Sequence, residues 1–145
     1  MRSVAGVRRA LFARHCNPWS AWTRWASTPL ALVPIWTRRW GHAAVIALWL
    51  AVNPVVFGKP KHHRAWATRA MLGEELWIAE RPADAAMLVS ALTSAVSLSA
   101  VIAAHRRRLK PAVVATALQM TLTMVYWAQM VRYLDRRRGG DTQPQ

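Results

Sequence analysis

Apolar and charged positions along this chain are segregated rather than interleaved. No Asp, Glu, Lys or Arg stands between Asp84 and Arg106, between Lys110 and Arg132, or between Arg39 and Lys59. A helix on the surface of a soluble domain carries charge on its outer face every turn or two, so these stretches read as membrane spans. Ala85 to Ala104 supplies twenty residues without a charge, close to what a helix needs to cross a hydrocarbon core of about 30 Å. Its hydroxyls, on Ser90, Thr93, Ser94, Ser97 and Ser99, can bond back to helix carbonyls and so cost little in lipid. After a basic turn from His105 to Lys110, Pro111 opens a second full-length span that runs to about Val131.

The earlier apolar runs are shorter. His42 to Phe57 contains sixteen residues without a formal charge. Near its end Pro54 cannot donate to the Leu50 carbonyl, so a kink or a stop is expected there. Arg24 and Arg38 bracket thirteen uncharged residues, which as a helix would reach about 20 Å; the segment 29–37 is a short or tilted crossing, or a segment that never crosses. Before it, Asn17-Pro18 combines an N-cap with a first-turn proline. Trp19, Trp22 and Trp25 around Arg24 place the following helix at headgroup level. Between the second and third runs, Ala65 to Glu80 reads as amphipathic, with Trp66, Ala70, Gly73 and Trp77 on one face and Met71 and Ile78 beside them. Pro82 ends it, and it is expected to lie on the membrane surface against the bundle.

The pattern therefore predicts an all-α fold, a polytopic transmembrane helical bundle of about four spans. Two are short (29–37 and 42–57) and two full-length (85–104 and 111–131), and interfacial amphipathic helices accompany them, with the surface helix near 65–80. One membrane domain covers 17–134, between a basic arm over 1–16 and a polar C-terminal tail over 135–145.

Composition changes this picture in one respect, the charge. The 145 residues carry a formal net charge of +14, enough to raise the question of a nucleic-acid partner. Nucleic-acid modules spread their basic residues over a folded polar surface. Here they flank apolar runs, as Arg106-Arg107-Arg108 does, and so face anionic headgroups at about 1 kcal/mol each; no nucleic-acid partner is expected. With four crossings, fourteen Lys and Arg fall on the side of both termini and six on the side of the two short turns. That excess places both termini in the cytoplasm, in a multi-pass protein of the cell membrane. Two crossings would divide the same residues 16 to 4, and three would divide them 11 to 9. Four is retained because two crossings leave Ala43 to Val52 without a lipid core to enter, although Arg106 to Arg108 then stand on the outer side. The basic arm lacks the uncharged core of a signal peptide, and the one cysteine, Cys16, rules out an internal disulfide.

Catalytic signatures are absent: no Gly-x-Ser-x-Gly elbow, no His-Glu-x-x-His pair, no phosphate loop and no dinucleotide fingerprint. His62-His63 point to different helix faces, so no metal site and no cofactor is expected. The chain has six acidic residues, and Glu74 or Glu75 is placed to pair with Arg24 or Arg69. Thr116, Gln119, Thr123 and Tyr126 follow a three-four spacing, continued by Tyr133, that turns an intramembrane polar seam toward the bundle. Ala91, Ala95, Ser99 and Ala103 stand four apart, a face suited to close helix approach and to a homo-oligomer.

His15-Cys16-Asn17-Pro18-Trp19-Ser20, then Thr23-Arg24, Asn53-Pro54-Val55-Val56-Phe57, and Trp66-Ala67-Thr68-Arg69 leading to Gly73-Glu74 and Trp77 resemble a domain of unknown function found in small prokaryotic membrane proteins. The likeness covers nearly the whole chain after the basic arm. It departs at Gly58, where proline is expected, which touches only the local turn. The resemblance implies an integral membrane protein and no assigned activity, cofactor or substrate.

With four spans, Asn17, Arg24, Asn53, Arg69 and Glu74 all fall at or near the cytoplasmic interface. They are expected to converge beneath the tryptophans, either locking the surface helix onto the bundle or holding an anionic headgroup or small solute. The leading expectation is a non-enzymatic membrane protein whose basic, aromatic rim binds anionic lipid or a partner protein. The rivals are a small transporter or channel subunit lined by Gln119, Thr123 and Tyr126, and a membrane enzyme acting on lipids with Glu74 as acid or base.

Overall fold

The computed structural model describes residues 16–60 and 62–140, and every regular element among them is helical. In chain order these are α1 (Pro18–Ala26), a 3-10 turn (Thr28–Leu32), α2 (Val33–Thr37), α3 (Trp40–Phe57), α4 (Trp66–Glu80), α5 (Ala85–His105) and α6 (Leu109–Gly140). The N-terminal basic arm lies outside the described residues except for Cys16.

The start of α1 is the one its sequence predicts: Asn17 Oδ1 accepts from the Trp19 amide at 2.9 Å, with Pro18 at the first position. Pro29 and Pro34 each remove a backbone donor, so the chain continues as a 3-10 turn and then the short α2 instead of one unbroken helix. Arg38, in the left-handed conformation at φ 54°, stops it. Interrupted as it is, 18–37 behaves as a single arm, and its hydrogen bonds trace its course. Asn17 donates to the Phe57 carbonyl, Ser20 and Thr23 meet Asn53, Ser27 accepts from Trp49, and Thr37 meets His42. The partners descend in register, so the arm and α3 form an antiparallel hairpin closed at Arg38-Arg39.

The arm also runs along the second hairpin, α5 and α6. Trp22 meets Trp127 with ring centroids 5.8 Å apart, Trp25 Nε1 donates to the Met120 carbonyl at 3.2 Å, and Leu32, Ile35 and Trp36 pack against Ala103, Ala104 and Ala112. Arg38 then donates to the His105 carbonyl at 3.5 Å. Both hairpin turns thus lie at one end of the bundle and both open ends at the other. The segment 29–37, expected as a short or tilted crossing or as one that never crosses, is the second part of this course: the arm from 18 to 37 accompanies α6 from Trp127 to Ala112, about 23 Å at helical rise. The tryptophan-bearing α1 is the first leg of that arm.

The helix α3 passes through Pro54 without stopping and ends at Gly58, whose φ of 65° suits glycine. Two helices, Ala85–His105 and Leu109–Gly139, are long and apolar enough to cross a membrane, and only 11% and 17% of their apolar windows are buried. The core helices of a soluble protein would be mostly buried; here Leu88, Leu92, Leu98, Val113 and Val114 are exposed. The hydroxyls of Thr93, Ser94, Ser97 and Ser99 bond to carbonyls four residues back, the arrangement that makes them inexpensive in lipid. Of the small-residue stripe on α5, Ala103 is buried and Ala91, Ala95 and Ser99 are exposed. Residues 135–140, read as part of a polar tail, continue α6.

The helix α4 crosses α6 steeply. Trp66 and Trp77, eleven residues apart on α4, both reach neighbouring residues of α6, Trp127 and Tyr126. Arg69 and Glu80, also eleven apart, both reach the next turns, Asp135 on one side and Tyr133 and Arg137 on the other. Between them Gly73 sits against the Met130 backbone. Parallel helices would step together along both axes; here one advances while the other does not. Glycine permits the crossing because a Cβ at position 73 would collide with the Met130 carbonyl.

Candidate functional site

The five residues expected to converge fall into three groups, two of which meet at Ser20, whose hydroxyl donates to Asn53 and whose carbonyl accepts from Arg24. Asn17 and Asn53 join the first hairpin. Asn17 caps α1 through Oδ1 while its Nδ2 donates to the Phe57 carbonyl at 2.7 Å. Asn53, with no exposed surface, accepts from Ser20 Oγ at 2.7 Å and donates to Thr23 Oγ1 at 2.8 Å. Every polar atom in this group faces another, as apolar surroundings demand, and the group is structural in geometry. Next to it Thr68 Oγ1 donates to the Cys16 carbonyl at 2.7 Å and ties α4 to the start of the arm. Cys16 itself is buried, and its thiol is pushed up to about 12, first by burial and then by Glu75, with Glu74 adding to the rise and Arg24 opposing it. A thiol so held is not a nucleophile.

Arg69 lies apart, paired with Asp135 at 2.5 Å on the outer side of the α4–α6 crossing. Both side chains are partly exposed, which limits such a pair to about 1 kcal/mol or less.

Arg24 and Glu74 make the third group and line one cleft. Ala21, Arg24 and Trp25 from α1, Glu74 from α4, and Thr123 and Trp127 from α6 surround a space of about 440 Å³. The helix period delivers these side chains: Ala21 and Arg24, and Thr123 and Trp127, stand three and four apart on their helices. Arg24 Nε donates to the Ser20 carbonyl at 3.1 Å, and the Tyr126 phenol donates to Glu74 Oε1 at 3.2 Å. The Glu74 carboxyl is raised above the ordinary carboxylate range by burial, against the opposing Tyr126 hydrogen bond and the Arg24 charge. The cleft therefore presents a cation and a buried carboxyl between two indoles. Trp22, Trp25, Trp66 and Trp127 form one aromatic cluster beside it, Trp22 stacking on Trp66 with centroids 5.9 Å apart.

The polar seam of α6 is largely satisfied from within. Thr116 and Thr123 bond back to the carbonyls of Ala112 and Gln119, and Tyr126 is engaged by Glu74. Gln119 is half-buried. The reading of this seam missed Gln129, whose Oε1 is buried with no hydrogen-bond partner among the described residues. Extending the three-four spacing past Tyr126 would have found it. No group of three or more His, Cys, Asp or Glu able to hold a metal occurs among the described residues.

A sequence profile for a family of unknown function, DUF6653, matches residues 1–133. No curated protein matches the chain, and no solved structure does.

Proposed function

The chain belongs to that family of unknown function, DUF6653, and from this premise we propose a non-enzymatic integral membrane protein of four crossings whose open end, facing the cytoplasm, binds anionic lipid. The carrying observation is the pair of antiparallel hairpins with α4 laid across their open end. Two crossings are supported by the length and exposure of α5 and α6. The other two are the arm 18–37 and α3, which keep pace with α6 and with each other. If α6 crosses the bilayer, a helix that crosses α6 steeply beside its last apolar turn lies in the plane of the interface, where its tryptophans are favoured.

The Arg24–Glu74 cleft is the part of that end able to take a headgroup. It places the Arg24 charge where a phosphate could lie and offers indole faces for the glycerol backbone and upper chain. The seam of α6 supports a transport pathway less well, because its hydroxyls are already bonded within the chain.

Two measurements test this reading. In a Cys16→Ser background, single cysteines at positions 38, 62 and 107 should be labelled from outside, inside and outside the cell respectively; labelling of 38 and 107 from inside would overturn the four-crossing topology. For the lipid, purified Arg24→Gln should retain about fivefold less phosphatidylglycerol than the unmodified protein, the effect of one cation at the surface. Unchanged phosphatidylglycerol retention in this variant would remove the cleft as a lipid site.

A further inference from the structure

The turn end of the bundle carries charge of a different kind from the open end. All six acidic residues of the chain stand at 74, 75, 80, 84, 135 and 141, while the two turns hold Arg38, Arg39, Arg106, Arg107, Arg108 and Lys110 and no acid. The turns are brought together by the Arg38 hydrogen bond to the His105 carbonyl, and all six cations are exposed. The count of basic residues that orients the protein puts this end on the outer side, where cations are ordinarily fewer. Six uncompensated cations there call for an anionic partner.

An apolar groove leads to them. It is about 380 Å³ in volume and lies between the broken arm and α6, with Pro29, Val33 and Thr37 on one wall and Leu109, Ala112 and Ala117 on the other. Its origin is local. The prolines at 29 and 34 break the arm into a 3-10 turn and a short helix that do not follow the surface of α6, and alanines on α6 leave the space between them unfilled. From Met120 to Leu109 the groove follows α6 for about 16 Å, parallel to the direction that lipid chains take. It ends at Thr37 and Leu109, next in sequence to Arg38 and Lys110; neither cation lines the groove itself, and Arg38 lines the neighbouring cavity with Pro34, Ile35, Trp40 and His105, its guanidinium reaching the His105 carbonyl beside groove residue Ala104.

We propose that this groove is a binding site for one anionic phospholipid, an acyl chain lying along Ala112 and Ala117 and the phosphate held by Arg38 and Lys110. The guanidinium of Arg38 has five N–H donors and spends one on His105, so the others are available to phosphate oxygens, and Lys110 adds a point charge. Charge decides for a lipid of net negative headgroup over a zwitterionic one, since no carboxylate in the turns could meet a choline or ethanolamine cation. The phosphate end of the site stands away from the Arg24 cleft, which the groove approaches at its other end, where Pro29 and Met120 adjoin Thr28 and Thr123.

The test is native mass spectrometry of the full chain exchanged into mixed phosphatidylglycerol and phosphatidylcholine nanodiscs. Unmodified protein should keep phosphatidylglycerol preferentially. Arg38→Ala combined with Lys110→Ala should lower that preference by about thirtyfold while leaving phosphatidylcholine retention unchanged. Ala117→Leu, a change at an exposed groove position, should lower retention of both lipids, and Arg24→Gln should leave the turn-end lipid in place. Equal retention of the two lipids by unmodified protein, or a preference that survives the double substitution, would overturn the proposal. Loss of preference in the double variant without any effect of Ala117→Leu would also overturn it, because the headgroup would then be attracted without a seated chain. Sensitivity to Arg24→Gln alone would leave the cleft reading standing and remove this one.

Discussion

Gly73→Ala is expected to unseat α4 from α6. At this crossing a Cβ would fall far inside van der Waals contact distance of the Met130 carbonyl oxygen and press on the carbonyl carbon as well. Overpacking of a tight contact costs about 1–3 kcal/mol, and the upper part of that range applies because the opposing group is helix backbone. Neither partner can escape by changing rotamer. Alanine is the better helix former by about 1 kcal/mol, which leaves a net loss of about 2 kcal/mol and a drop of about 5 °C in the melting temperature for a chain of this size. The check is thermal unfolding in detergent. Combining Gly73→Ala with Met130→Ala separates backbone from side-chain crowding: since the collision is with the main chain, removing the Met130 side chain should deepen the loss instead of relieving it. A double variant more stable than Gly73→Ala alone would mean that the helices slide past one another and that the crossing is not fixed at this glycine.

The parts of the fold that a reader of the sequence can find are those whose physics is local. The charge-free runs of α5 and α6 announce themselves because a lipid-spanning helix needs a set length of uncharged chain. The cap at Asn17 and the apolar face of α4, including Ala70, Met71 and Gly73, follow from spacing alone. What local pattern could not supply is the continuity of the arm 18–37. Its prolines and Arg24 are breaks when read along the chain, and only the hydrogen bonds to Asn53, Trp49 and Met120, all remote in sequence, show that it runs on beside α3 and α6. Pro54 does not stop α3, which runs on to Phe57, where its apolar run ends.

The candidate site divides along the same line. That Arg24 and Glu74 share a cleft depends on three helices meeting, yet both residues stood out as unusual charges in an apolar neighbourhood and could be named beforehand. The same argument selects Arg69, but its partner, Asp135, belongs to the extension of α6 that reads as a polar tail. Extended helix, and with it the whole outer side of the α4 crossing, was legible only once Tyr133 and Arg137 were seen to meet Glu80.

Trp127→Ala is expected to loosen the arm and α4 at once. The indole is buried to 8% exposure and meets Trp22 of the arm at 5.8 Å and Trp66 of α4 at 6.1 Å. One side chain therefore holds three elements. Truncating a buried tryptophan costs about 3–5 kcal/mol in a water-excluded protein core. Part of that sum is hydrophobic transfer, which contributes between helices only where the alternative is water, because lipid chains are as apolar as the protein interior. At the open end, where α4 and the polar segment before it lie beside the cluster, the alternative includes water, so the loss should stand near 3 kcal/mol and not at the few tenths expected for a lipid-facing residue. Trp40, at 90% exposure, is the control: Trp40→Ala should leave the melting temperature within experimental error. Trp127→Phe should recover part of the loss, since the aromatic pairs contribute about 0.5–1.5 kcal/mol each beyond their area. Limited proteolysis distinguishes the joint role from a local one. If Trp127 holds both α4 and the arm, its loss should open the segment from Gly58 to Ala65 to cleavage and also expose the Cys16 thiol to labelling. Cleavage without thiol exposure would confine the tryptophan to the docking of α4.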